Sequence, residues 1–272
     1  MIPTRPGPEP GPRSPTAIAD ELVRGGRALI ALSGGVDSAV VALLAYQALG
    51  PNAIAVTLVG PAISQAEIDR AGRSAREIGI DHELVAADPL EVEAYRNNPS
   101  NRCYFCRTTE TAALREFGQR SSVEQYVDGV HLDDLGDDRP GLIAMAEAGF
   151  RHPLVWAAWR KNDVRQFAHQ AGLSNWDAPS DACLASRVRH GQLLSAPLLR
   201  QIEEAERWIA GFGFRRVRVR VDGGSVRVEV DPEEVGWLRS EPTATAVQHG
   251  LSALGFSEIE LDPIGYRPRP GA

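Results

Sequence analysis

The sequence predicts an α/β fold on a parallel sheet, followed by a smaller α+β domain. Three observations carry this reading. From Ala17 onward, short apolar runs alternate with helical stretches, the grammar of βαβ units. The first run, Ala28-Leu29-Ile30-Ala31-Leu32, is continuously apolar, as a strand covered on both faces is. Past about Leu194 the pattern changes to a helix and then two alternating runs around Asp222-Gly223-Gly224, and an Asp-Gly between such runs signals a hairpin.

In chain order, Met1 to Pro15 holds six prolines among Gly, Arg and Ser, a composition that buries too little apolar surface to order itself, so residues 1–16 are expected to be a disordered tail. Arg27 to Leu32 forms the first strand, which Ser33-Gly34-Gly35 breaks before a helix from Asp37 to Leu49 closed by Gly50-Pro51. Strands follow at Ala53 to Val59, His82 to Ala87 and Gln125 to Gly129. A helix from about Ser64 to Ile78 is stopped by Gly79, and others fit Thr108 to Phe117 and Lys161 to Ala171. Asn175 to Ser186 reads as irregular. The first domain thus spans residues 17–193. The second, 194–265, holds a helix to Ala210, strands Arg215 to Val221 and Ser225 to Val230, two further helices and a strand near Glu258 to Leu261, before a tail at 266–272.

A length of 272 residues with 43% hydrophobic and 24% charged content suits a medium domain with a smaller partner. No run approaches the roughly 20 apolar residues that span a bilayer, so no membrane partner is expected. With 29 basic against 36 acidic residues, net charge -7, the chain lacks the broad basic face that nucleic acid demands. Three cysteines are too few, and odd in number, for a disulfide framework, and no apolar signal segment opens the chain; a reducing, cytoplasmic setting is expected. Lys161 is the only lysine, so the positive charge is nearly all arginine, suited to bidentate grips on phosphate and carboxylate but equally a mark of coding bias.

Ser33-Gly34-Gly35-Val36-Asp37-Ser38 lies between the first strand and its helix, where unpaired N–H groups and the positive end of the helix dipole favour phosphate. The glycines let the backbone approach closely, the Ser33 and Ser38 hydroxyls can donate to phosphate oxygens, and Asp37 can hold a magnesium ion or its water. A turn with an Asp or Ser cap is the plainer alternative. A Walker-type loop needs Gly-Lys-Ser/Thr, and no lysine is present here. The segment instead resembles the PP-loop that grips pyrophosphate in ATP pyrophosphatases of the adenine nucleotide alpha hydrolase-like fold, which implies ATP and Mg2+ and cleavage to AMP and pyrophosphate.

Cys103 and Cys106, spaced CxxC, bring two thiols within reach of one metal, with Cys183 a distant third. Three thiolates suit an iron–sulfur cluster with one open iron. Buried small hydrophobes or a redox pair are the alternatives for CxxC, and a core cysteine for Cys183. The polar setting of Cys183, with Arg187 near enough to stabilise a thiolate, favours a reactive or ligating role. Asp128, Asp133, Asp134, Asp137 and Asp138 follow the fourth strand at the carboxyl edge, where open α/β sheets place ligands; they read as a metal or ribose contact or as a solvated acidic loop.

Together, the loop Ser33 to Ser38, Asn101-Arg102-Cys103-Tyr104-Phe105-Cys106, Asp128-Gly129 with Asp133-Asp134-Leu135 and Arg139-Pro140-Gly141, and Ala182-Cys183-Leu184-Ala185-Ser186-Arg187 resemble the LarE family. The resemblance runs from about Arg27 to Arg267. It implies an ATP-dependent sulfur transferase that adenylates pyridinium-3,5-biscarboxylate mononucleotide and replaces carboxylate oxygen with sulfur, for the nickel-pincer cofactor. It also implies a homo-oligomer. Two sulfur sources occur in the family: a cysteine matching Cys183 that surrenders its own sulfur, or a [4Fe-4S] cluster on cysteines matching Cys103, Cys106 and Cys183. A sacrificial thiol gives no reason for the CxxC, so the cluster is the expectation here. Arg216 and Arg218, which share one side of an alternating strand, and Arg187 would hold the anionic substrate, unless they are a solvated strand face.

Three other functions share parts of this pattern. A PP-loop enzyme of tRNA thiolation would also use CxxC and a third cysteine, but the net charge opposes RNA. An amidating ligase of the NAD-synthetase sort needs no cysteine set. A nucleotide sensor would bind ATP and release no pyrophosphate.

Overall fold

The structure, a computed structural model, describes residues 11–136, 140–179 and 182–267. Helix α1 (Pro15–Arg24) starts where Ser14 accepts a hydrogen bond from the Ala17 N–H at 3.2 Å, with proline at its first position, where a missing N–H is no loss. The expected tail therefore ends before Pro15. Arg13 is already docked, its N–H donating to the Ala157 carbonyl at 2.8 Å and its guanidinium 4.2 Å from the Trp156 ring centre. The first ten residues lie outside the described residues.

Strands β1 (Ala28–Ala31), β2 (Ala53–Val59), β3 (Asp81–Ala86) and β4 (Gln125–Val127) form one parallel sheet in the order β3-β2-β1-β4. Helix α2 (Val36–Leu49) joins β1 to β2, and α3 (Gln65–Ile78) joins β2 to β3. Val40, Ala42 and Leu44 of α2 and Ile30 of β1 lie in one dry core, which is why these runs are apolar almost throughout. Strand order reverses at β1, which has β2 on one side and β4 on the other. In open α/β sheets the crevice beyond that switch point receives ligands.

A short helix, α4 (Glu93–Arg96), then leads to α5 (Arg102–Arg120), which begins at Arg102 rather than near Thr108 as expected. The stretch around CxxC has no apolar stripe to announce a helix. It is held by packing on α6 (Pro140–Glu147): at Gly141 a Cβ would come within 3.0 Å of the Arg107 side chain and 3.5 Å of the Cys103 carbonyl. Helices α7 (Pro153–Trp156) and α8 (Lys161–Gln170) complete this half.

Beyond α9 (Ala196–Ala210), strands β5 (Val217–Asp222) and β6 (Ser225–Val230) form the expected antiparallel hairpin, Asp222 opposite Ser225. After α10 (Val235–Leu238) and α11 (Thr243–Ala253), β7 (Glu258–Leu261) pairs with β6 in parallel, giving a mixed sheet. Its valine face packs on α9 and α11 through Val219, Val228, Leu199, Ile209 and Leu251. The same core takes in Ala62, Leu90 and Tyr95 from the first half of the chain, with Cys106 and Cys183 packed against it. Among the described residues no helix is long and apolar enough to cross a membrane.

Candidate active site

The loop after β1 is a turn built for close approach. Gly34 sits at φ +81, and a Cβ there would meet the Glu67 carbonyl oxygen at 2.7 Å and the Ala71 nitrogen at 2.9 Å, so α3 leaves no room for a side chain. Gly35 occupies the N-cap of α2 without a side-chain cap, which leaves first-turn N–H groups facing outward for an anion. Ser38 Oγ donates to the Gly35 carbonyl at 3.0 Å and lies 3.2 Å from both the Ser33 nitrogen and the Ser33 hydroxyl. Asn175 ties down the loop from the irregular segment, its Nδ2 donating to the Gly34 carbonyl at 3.2 Å. On the other side, a Cβ on Gly129 would lie 2.5 Å from the Ser38 nitrogen, so the residues after β4 abut the start of α2.

Asp37, in the first turn of α2, meets a partner that the sequence alone does not assign to it. Lys161 Nζ, at the start of α8, contacts its two oxygens at 2.8 and 2.6 Å. His131 Nε2 lies 3.7 Å from Asp37 Oδ1. The chain's single lysine, absent from the loop itself, is thus delivered to it by a residue 124 positions away. Its uniqueness was the only signal.

The acidic residues after β4 divide by role. Asp133 is not a free ligand: it pairs with Arg160 at 2.6 Å and accepts from the Lys161 N–H at 2.8 Å, which holds its carboxyl below the usual range. Asp134 accepts from the His131 N–H at 3.0 Å. Asp128 is buried, takes the His152 Nδ1 contact at 2.8 Å on one oxygen and, among the described residues, has no hydrogen-bond partner for the other. That hydrogen bond raises the His152 pKa, against the effect of burial. Asp137 and Asp138 lie outside the described residues.

The three cysteines are supplied by two distant segments. Cys103 and Cys106 lie on the first turns of α5; Cys183 precedes a short 3-10 turn, Leu184–Arg187. The Leu184 N–H donates to the Ala62 carbonyl at 2.9 Å, which hangs the Cys183 segment over the loop beyond β2, at the carboxyl edge. All three are free thiols of intermediate exposure. Burial and the neighbouring Glu110 push the Cys106 thiol up; Cys106 Sγ lies 3.4 Å from Glu110 Oε1. Burial likewise raises Cys183, with Cys103 and Glu67 adding to it and Arg102 and Arg187 opposing. Among the described residues no three His, Cys, Asp or Glu side chains converge on one metal ion. A [4Fe-4S] cube is a few ångströms across and needs its thiolates spread around it.

Arg187 serves this segment rather than open solvent. It is buried and binds Glu206 through Nε and NH2, both at 2.9 Å, while NH1 donates to the carbonyls of Ala182 and Cys183. Its donors therefore clamp the backbone that presents Cys183. Arg218 lies on β5, which begins at Val217 rather than at Arg215 as expected, and Arg216 directly precedes the strand. Arg216 pairs with Asp231 at 3.2 Å and stacks 4.4 Å from the Tyr266 ring centre, while Arg218 lies 5.8 Å from that ring and donates to the Val217 carbonyl.

A family model described as NAD synthase matches residues 22–115, the stretch from before the glycine-serine loop to the middle of α5. Pyridinium-3,5-bisthiocarboxylic acid mononucleotide synthase of Lactiplantibacillus plantarum is 31% identical over 242 residues, covering 89% of this chain and 87% of that protein. The chain belongs to the LarE family. An uncharacterized protein of Synechocystis, slr1717, is 38% identical over 241 residues (89% and 90% covered), and one of Methanocaldococcus jannaschii, MJ0830, is 25% identical over 213 residues (78% and 81%). As a LarE-family member with a PP-loop, the chain is an ATP-using enzyme.

Proposed function

We propose that this enzyme activates the carboxylates of pyridinium-3,5-biscarboxylate mononucleotide with ATP and converts them to thiocarboxylates. The observation that supports the reading is that the Ser33–Ser38 turn after β1 and the Cys183 segment, tied to the loop after β2, share one edge of the sheet. Glu67 links them, since its backbone abuts Gly34 and its charge acts on Cys183.

In the first half-reaction a substrate carboxylate oxygen attacks the α-phosphorus and pyrophosphate departs. The α2 N–H groups and the Ser33 and Ser38 hydroxyls stabilise the charge that builds on it. Asp37 and the unpartnered oxygen of Asp128 would hold magnesium. Lys161, paired with Asp37 beside the turn, would bring a positive charge to the phosphates. In the second half-reaction sulfur attacks the acyl-adenylate carbonyl and AMP leaves. Cys103, Cys106 and Cys183 would hold a [4Fe-4S] cluster, which supplies sulfide at an iron that no protein thiolate binds. Arg102 and Arg187, whose charges act on Cys183, would offset the negative charge of the thiolates that such a group requires. Arg216 and Arg218, beside Tyr266, would take the substrate's phosphate.

Anaerobically purified protein should be brown with about 4 iron per chain and lose its colour in Cys106→Ala. It should release pyrophosphate only with the carboxylate substrate. Colourless, iron-free protein that loses about 34 Da at Cys183 in one turnover, the mass of hydrogen sulfide, would refute the cluster as sulfur source.

A further inference from the structure

One buried side chain at the nucleotide turn is used by neither half-reaction. His131 follows β4 on the stretch that abuts the start of α2, where a Cβ on Gly129 would lie 2.5 Å from the Ser38 nitrogen. Its side chain is 8% exposed. Nδ1 lies 3.4 Å from Asp134 Oδ2 and Nε2 stops 3.7 Å from Asp37 Oδ1, and neither ring nitrogen makes a hydrogen bond among the described residues. The backbone nevertheless holds the ring in place. The Val130 N–H donates to Asp128 Oδ1 at 3.0 Å, the His131 N–H to Asp134 Oδ2 at 3.0 Å and the Leu132 N–H to the Trp159 carbonyl at 2.9 Å. Buried polar groups normally find partners, and a leucine would fill this space with no nitrogen to satisfy. A fixed, buried imidazole with no hydrogen bond of its own calls for a ligand.

We infer that His131 is a further nucleotide-binding residue, its Nε2–H donating to a phosphate oxygen of ATP seated at the Ser33–Ser38 turn. This rests on the nucleotide reading of that turn. The ring stands beside Asp37 in the first turn of α2, where N–H groups already favour an anion. Both oxygens of Asp37 accept from Lys161 Nζ, at 2.8 and 2.6 Å, so that carboxylate has its donor without the imidazole. Magnesium prefers oxygen ligands, which leaves phosphate rather than the metal as the partner of a ring nitrogen. Ionised, Asp37 and Asp134 only accept and would repel phosphate; a donor held between them offsets that.

The test compares wild type with His131→Leu and His131→Gln, all full-length, by equilibrium dialysis against ATP with magnesium and against adenosine, which lacks the phosphates. His131→Leu should bind ATP at least about tenfold more weakly, the fold-change of one hydrogen bond to a charged group, and adenosine as tightly as wild type does. His131→Gln, whose amide N–H keeps a donor there, should recover part of the loss. Equal ATP affinity in wild type and His131→Leu overturns the inference and leaves the nucleotide reading of the turn standing. A parallel loss of adenosine binding overturns it too, by showing that the ring supports the fold rather than the phosphates. If wild type binds no ATP, the nucleotide reading fails and the inference falls with it.

Discussion

Replacing Gly34 with alanine tests whether the nucleotide turn is as closely fitted as its geometry requires. Two costs add. A residue with a Cβ at φ +81 enters the left-handed region, at about 1–2 kcal/mol. The new carbon would also lie 2.7 Å from the Glu67 carbonyl oxygen and 2.9 Å from the Ala71 nitrogen. Both are helix backbone and cannot swing aside, so overpacking adds about 1–3 kcal/mol. The total, about 2–5 kcal/mol, lowers the thermal midpoint by on the order of 10 °C for a domain of this size. Calorimetry of Gly34→Ala against wild type reads that shift, and equilibrium dialysis with ATP reads the matching loss of affinity. A midpoint within about 2 °C of wild type, less than one kcal/mol moves it, together with unchanged ATP binding, would show that α3 does not confine the turn.

Lys161→Ala should cut pyrophosphate release by about a hundredfold, the usual effect of deleting one charged donor at a site of developing charge, while leaving iron content unchanged; a quenched-flow pyrophosphate assay measures it. Arg187→Met leaves Glu206 buried without its partner, and should lower stability by about 3–5 kcal/mol in urea titration. His152 has its pKa raised above 6.5 by Asp128, so the pair stabilises fully below pH 6.5 and the contribution fades as pH climbs through the raised value. The gap in unfolding midpoint between wild type and Asp128→Asn should therefore be widest in acid and narrow toward alkaline pH, as read by thermal scans across a buffer series.

Local chemistry made some of this molecule legible in its sequence. The run from Ala28 to Leu32, the two glycines and the apolar helix after them could be read in place, because strand, turn and helix are each written within a few residues. The Asp222-Gly223 hairpin was equally local. β3 was read to within one residue, but its place at the edge depends on strand order rather than on its own residues. The start of α5 was missed because Cys103 to Cys106 follow no helical period and are held by contact with α6. The grip of Lys161 on Asp37 and that of Glu206 on Arg187 are long-range outcomes. No spacing rule contains them.

The position of Lys161 has a consequence for chemical modification. Apart from the α-amino group, the protein offers one primary amine, and it sits beside the proposed nucleotide turn, about a quarter exposed at 26%. An acylating reagent therefore has a single side-chain target and meets it only when the nucleotide seat is vacant. Protection by ATP would turn an ordinary amine-labelling reaction into an occupancy gauge, without engineering a tag.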